Sequence, residues 1–293
     1  MKLTGLHHIT AITANIKKNL HFYTEVLGLR LVKKSVNQDD VSAYHLFYAD
    51  KVGTPGTDLT FFDWPQIGEN IQGTDSITGT AFRVDSREAL DFWKNRFNSL
   101  HVNHTEIQNF ADREILPFED PEGQQLYLVN DQGADFEGEL WPHPDIADEF
   151  LIKGLYSVIL SVSATVPLVE FLSRTLFFEE KYRDSWIDGK SGGIVFSTSP
   201  DGGPGTEIWL IEQTHLAPAQ LGAGGTHHVA FRVDDFDAQK EWHTYLKELG
   251  VPVSDLIDRF WFRSIYFRIS AGILFEIATD GPGFTVDEDP DKL

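Results

Sequence analysis

The chain has 293 residues, 41% of them hydrophobic and 13% aromatic, which is enough to bury one large or two moderate cores. Its 45 acidic against 24 basic residues give a net charge of -21, a field that repels nucleic acid and anionic membrane surfaces. With no cysteine there is no disulfide framework, no thiolate metal site and no thiol nucleophile. No apolar run is long enough to cross a bilayer, and a strand pattern begins within a few residues of Met1, so the expectation is a cytoplasmic protein without a secretory signal.

The first apolar run, Gly5-Leu6-His7-His8-Ile9-Thr10-Ala11-Ile12-Thr13, alternates as a strand does. Asn15 then caps a helix carrying Ile16, Leu20, Tyr23 and Leu27 on one side, and Gly28 stands where a C-terminal cap glycine is expected. Strands follow around Leu29 to Lys33, Ala43 to Ala49 and Asp58 to Phe62, the last behind a Pro55-Gly56 turn. A second unit repeats the order, opening on Gly79-Thr80-Ala81-Phe82-Arg83-Val84-Asp85. Its helix is capped by Ser86 and buries Ala89, Trp93 and Phe97; its last strand is Gln125 to Val129.

The polar stretch 132–153, interrupted by Pro142 and Pro144, reads as a linker between halves spanning 1–131 and 154–293. A third unit opens on Gly154 to Leu160, has a helix near Pro167 to Phe177, and ends Pro204-Gly205-Thr206-Glu207-Ile208-Trp209, an echo of Pro55-Gly56-Thr57-Asp58-Leu59-Thr60. Residues Asp188 to Gly205, rich in Gly and Ser, read as a long hairpin or loop. The fourth unit, Gly225-Thr226-His227-His228-Val229-Ala230-Phe231-Arg232-Val233, repeats the opening histidine pair. A helix capped near Asp235 or Asp237 and closed by Gly250 follows, then strands through Phe262 to Ile269 and Ile273 to Ala278. An acidic tail, Pro282 to Leu293, lies on the surface or frays.

Four βαβββ units predict an α+β protein whose modules pair into two cupped sheets, because one unit alone leaves a sheet face bare. Strand alternation places Val229, Phe231 and Val233 under the helices and His228 with Ala230 in the cup; likewise His8 with Thr10, against Ile9 and Ala11. His8 and His228 are therefore the candidate metal ligands, with His7 and His227 at the strand mouths. Glu276, alone among Ile273, Leu274, Phe275 and Ile277, supplies a carboxylate that would be expensive to bury unpaired. Aligned on the turn glycines, Glu276 corresponds to Thr60, Tyr127 and Trp209, and His228 to Gly79 and Ser157. Only the first and last units keep nitrogen ligands, so they must share one site and lie side by side.

Two histidines and one carboxylate suit Fe(II), Mn(II) or Zn(II), and leave positions open for a substrate and O₂. Thr60 stands where a metal isomerase would place a second carboxylate. Between the last helix and the glutamate strand, Arg259, Trp261 and Tyr266 cluster; a Tyr266 phenol could hydrogen-bond a substrate oxygen and Arg259 could hold a phenolate. His21, His45, His101, His104, His143, His215 and His243 read as surface or packing residues.

These units, the His…His…Glu set, and the phrases Gly5 to Thr10, Phe22-Tyr23 and Gly28-Leu29-Arg30-Leu31-Val32-Lys33-Lys34-Ser35-Val36-Asn37 resemble the vicinal oxygen chelate superfamily, in its branch of ring-cleaving dioxygenases acting on hydroquinones. The resemblance implies non-haem Fe(II) held by His8, His228 and Glu276, and supporting catalytic roles for Thr10, His227, Arg259 and Tyr266. It implies a small aromatic substrate and O₂ as partners and allows a homo-oligomer. Catechol-cleaving members take a histidine from the third unit, where this chain has Ser157. The alternatives are a divalent-metal isomerase or lyase of glyoxalase type, and a non-catalytic protein that binds an aromatic compound.

Overall fold

A computed structural model describes residues 1–293. The first module contributes β1 (Leu6–Thr13), α1 (Ile16–His21), β2 (Arg30–Val36), β3 (Tyr44–Ala49) and β4 (Asp58–Asp63). The second contributes β5 (Ser76–Val84), α2 (Arg87–Leu100), β6 (Gln108–Phe110), β7 (Arg113–Glu119) and β8 (Gln125–Asn130). The third has β9 (Leu155–Val162), α3 (Val166–Glu170), β10 (Glu179–Ser185), β11 (Gly192–Ser197) and β12 (Glu207–Glu212). The fourth has β13 (Thr226–Val233), α4 (Phe236–Glu248), β14 (Ile257–Asp258), β15 (Arg263–Arg268) and β16 (Leu274–Thr279).

These strands make two eight-stranded sheets, ordered β14-β15-β16-β13-β1-β4-β3-β2 and β10-β11-β12-β9-β5-β8-β7-β6. The first module thus adjoins the fourth, and the second adjoins the third. In each sheet two modules meet through one antiparallel pair, β1 with β13 and β5 with β9, while parallel pairs close each module. The expected α+β architecture of paired βαβββ modules is the one observed.

The helices start where the sequence supplies caps: Asn15, Ser86 and Asp235 each accept a backbone N–H three residues on. α1 departs from the expected register in its first turn only. It runs into a wider turn at Phe22–Val26; Tyr23 and Leu27 are buried as expected, joined by Asn19, Phe22 and Val26, while Leu20 is exposed. The buried Asn19 accepts a 2.9 Å hydrogen bond from Tyr48 on its carbonyl, while its side-chain amide nitrogen stays unpaired. The Gly- and Ser-rich stretch after Asp188 is a hairpin arm, because Gly192–Ser197 pairs with strands on both sides. The acidic tail lies on the surface: Phe284 is buried against Phe47 and Trp261, and Arg30 donates to the carbonyls of Pro290 and Leu293.

One core of 50 buried residues spans all four modules beneath the helices. Two smaller clusters occupy the concave sides, 12 residues in the second sheet and 8 in the first. The smaller count marks the cup that stays open.

Candidate metal centre

β1 and β13 run antiparallel through the middle of the first sheet, and each carries one histidine pair. Strict alternation would send neighbouring histidines to opposite faces. Two bulges prevent this: Leu6 faces Phe231 while His8 faces Ala230, skipping His7, and Thr10 faces His228 while Ala11 faces Thr226, skipping His227. The extra residue bends the strand locally and lets both rings of a pair meet. His7 Nδ1 lies 2.9 Å from His8 Nδ1, and His227 Nδ1 lies 2.8 Å from His228 Nδ1.

The first contact fixes a chain of tautomers. His7 Nε2 is 3.1 Å from the Thr279 carbonyl, which can only accept, so His7 carries its proton on Nε2 and presents a bare Nδ1. His8 then donates from Nδ1, leaving the Nε2 lone pair to point into the cup. Burial first, and the neighbouring His8 second, hold His7 neutral down to about 3; burial and then His228 do the same for His227.

Glu276, on β16 beside β13, is fully buried. Its Oε2 is 3.2 Å from His8 Nε2 and 3.0 Å from His228 Nε2, yet neither carboxylate oxygen has the alignment of a hydrogen bond with anything. One donor atom from each of the three residues lies within 4.8 Å of the others. Burial pushes the Glu276 carboxyl up, but the two imidazoles outweigh it and hold it well below the usual range. A buried, ionised, unbonded carboxylate facing two imidazole nitrogens is expensive unless a cation sits among them, so the donor set fits a divalent metal.

Above this cluster lies a cavity of about 340 Å³. Tyr266 and Arg259 form one wall. Tyr266 pairs across the sheet with Glu276, and its ring stands edge-on to His228 at 5.7 Å between centroids. Burial and then the Glu276 charge push its phenol up, so it stays protonated. Arg259 Nε donates to the Tyr266 oxygen at 3.3 Å, which leaves the Tyr266 proton free. The guanidinium also pairs with Asp39, at 2.8 and 3.1 Å. Asp39 carries no signal in the sequence, because only the fold brings the β2–β3 loop across to module four.

On the other wall, Thr10 Oγ1 lies 2.8 Å from Thr60 Oγ1, and Thr60 Oγ1 lies 2.9 Å from His45 Nε2. His227 reaches the cavity edge as expected. His7 does not: it is buried behind His8 and lines no part of the cavity, because the bulge turns it toward Thr279. His45, read as a packing residue, stands on the cavity wall. Its signal is the parity of His45, Phe47 and Ala49 on β3, which puts it on the cup face.

An open cup with two imidazoles and a carboxylate at its centre, on paired βαβββ modules, is the scaffold of a metal-dependent enzyme. Residues 5–128 match the family model of the Glyoxalase/Bleomycin resistance protein/Dioxygenase superfamily. Over 293 residues, all of this chain and 92% of the relative, it is 45% identical to a Bacillus subtilis (strain 168) protein named as a ring-cleaving dioxygenase, MhqA. It is 29% identical over 300 aligned positions, 100% of this chain and 90% of the relative, to a chlorohydroquinone/hydroquinone 1,2-dioxygenase of Sphingobium indicum. The crystal structure of a Bacillus subtilis protein described as a dioxygenase superposes with a TM-score of 0.89 at 33% identity, covering 99% of this chain and 90% of that one. The chain belongs to the glyoxalase/bleomycin resistance/dioxygenase superfamily, and within it to the ring-cleaving dioxygenase enzymes.

Proposed function

We propose that the protein opens the ring of a hydroquinone or related phenol with O₂, using Fe(II) held by His8, His228 and Glu276. The observation that carries this reading is the unbonded, fully buried Glu276 carboxylate facing the imidazole nitrogens of His8 and His228, which line an aromatic-walled cavity. Fe(II) bound there would supply adjacent positions for a phenolic oxygen and O₂ and a route for electron density between them. Both oxygen atoms enter the product, which is an open-chain acid.

The chain's own side chains do the rest. His7 and His227 orient the two ligand rings through their Nδ1 contacts, the role of hydrogen-bonded partners outside a metal's first ring of ligands. Tyr266, protonated and beside Glu276, donates to a phenolic oxygen at the cluster; Arg259 holds the Tyr266 oxygen in place and adds positive charge where phenolate charge develops. Thr10 and Thr60 close the floor between the cluster and His45. Phe62 and Trp261 offer faces for the ring.

The isomerase alternative wants a fourth protein ligand at Thr60. That hydroxyl is committed to Thr10 and His45, which disfavours it. The net charge of -21 supports a protein without nucleic-acid partners, and no helix is long and apolar enough to cross a membrane; cytoplasmic location and two halves joined by 132–153 belong to the same reading. The test is metal analysis with an oxygen electrode. Iron-loaded protein should consume O₂ one-for-one with hydroquinone, and chelation should stop it. Turnover without O₂ would establish the isomerase class instead, and aromatic binding with neither metal nor turnover would leave a sequestering protein.

A further inference from the structure

We infer that His45 sets substrate selectivity by reading the distal hydroxyl of a para-diol; the inference rests on the hydroquinone reading above. His45 stands on β3, half-buried in the cavity wall. Its ring is clamped between Phe47 at 4.0 Å and Phe62 at 4.6 Å, centroid to centroid, so its orientation is fixed before a ligand arrives. Nε2 is engaged by the Thr60 hydroxyl at 2.9 Å. Nδ1 has no partner in the protein, and it is not among the polar atoms sealed from solvent. It is a polar atom, held on a fixed ring, that this wall offers to a ligand.

Its distance from the cluster selects the kind of ligand. In the first sheet β3 lies two strands from β1, at ~4.8 Å per strand, and His45 faces Phe62, which faces Ile12, so His45 is displaced from His8 both across the sheet and along it, toward the far end of the cavity. A ring bound through one oxygen at the His8, His228 and Glu276 cluster carries a para oxygen on its far side. An ortho second oxygen would stay at the cluster. Tyr266 and Arg259 serve the near oxygen, since Tyr266 pairs with Glu276. Phe62 spans the gap, 6.4 Å from the His228 ring and 4.6 Å from that of His45, and a substrate ring laid against it points its far end at Nδ1. A hydroxyl both donates and accepts, so it pairs with either tautomer of His45. At the corresponding place in the second sheet the chain has Gly193, and the Phe110 ring fills the space, so this polar atom is particular to the first cup.

The test is anaerobic equilibrium binding of hydroquinone and phenol to iron-loaded protein, wild type against His45→Phe and His45→Asn, with a thermal melt of each. Wild type should bind hydroquinone about tenfold more tightly than phenol, the worth of one satisfied hydrogen bond in a partly closed site. His45→Phe should erase that ratio while phenol affinity holds, and His45→Asn should restore part of it. An unchanged ratio in His45→Phe overturns the inference, as does an equal loss for both ligands, which would mean wall packing alone. If the ratio responds as expected but no diol drives O₂ uptake, the assignment of His45 stands and the dioxygenase chemistry fails.

Discussion

Where the first sheet has His228, the second has Gly79; where the first has Glu276, the second has Tyr127. Both sheets are built from the same strand order with the same two bulges, at His7 and His227 in one and at Thr78 and Tyr156 in the other. What differs is the filling. A side chain at Gly79 would place its Cβ 2.7 Å from the Tyr127 ring, and one at Gly193 would lie 2.6 Å from Phe110. Glycine makes room for aromatics there, and Trp209 and Trp186 complete the plug. The fully buried acid of that cup, Glu207, is bonded by Arg113, by Trp209 Nε1 at 2.8 Å and by the Gly203 amide at 2.9 Å. The first cup instead keeps an unbonded carboxylate and an open cavity. One scaffold thus carries a packed core and a reactive site, and the difference lies in a few positions that point inward.

The sharpest way to break the comparison is to strip the first cup. Glu276→Ala should remove bound metal and bring O₂ uptake down to background, since two imidazoles alone make a poor site for a hard divalent ion. Metal content after desalting, read beside the oxygen electrode, checks both parts; full activity in this variant would end the assignment. Stripping the second cup should do the reverse. Trp209→Ala empties a fully buried indole and should cost about 3–5 kcal/mol by urea unfolding. Activity per folded molecule should stay within about twofold, because Trp209 is outside the cavity. A large loss of turnover in the folded fraction would mean that the two cups communicate.

Much of this division can be read from residues alone. The echo of Gly79 to Asp85 in His228 to Asp234 exposes the repeat, and histidine pairs confined to the first and fourth modules require those modules to meet, as the strand order shows. His8, His228 and Glu276 follow from alternation on three strands, and the structure brings them together. Alternation fails at His7, because an extra residue in one strand is visible only against its partner, and the partner of β1 lies more than two hundred residues away. His45 escaped for a related reason: its parity was legible, but the hydroxyl that holds it, Thr60, sits on a different strand. In α1 the spacing places Tyr23 and Leu27 correctly inside, and the departure is confined to the first turn, where the wide turn that follows puts Asn19 rather than Leu20 on the buried side.

Smaller changes sharpen the same contrast. Gly79→Ala should cost about 1–3 kcal/mol, because the Tyr127 ring it would strike is itself packed against Trp186 and has little room to retreat. Chemical denaturation measures it. A neutral result would show the plug to be loosely packed and the glycine incidental.

The smallest effect concerns the acids that open the corresponding strands, Asp58 in the first sheet and Glu207 in the second, which face His8 and Ser157. Glu207 has its cation. Asp58 is 1% exposed, its Oδ1 has no partner, and burial first and Asp50 second push its carboxyl well above the usual range. A carboxyl raised by folding binds its proton more tightly in the native chain. Its contribution to stability is therefore fully present below the unfolded value of 3.8 and is lost as pH climbs through the native one. Asp58→Asn keeps the shape without the charge, so it should be more stable than wild type at pH 7 to 8 by about 1–2 kcal/mol, with the advantage vanishing toward pH 4. Urea midpoints across that range decide it: an advantage that ignores pH would mean that Asp58 is not the titrating group, and a loss at neutral pH would mean that its charge is satisfied after all.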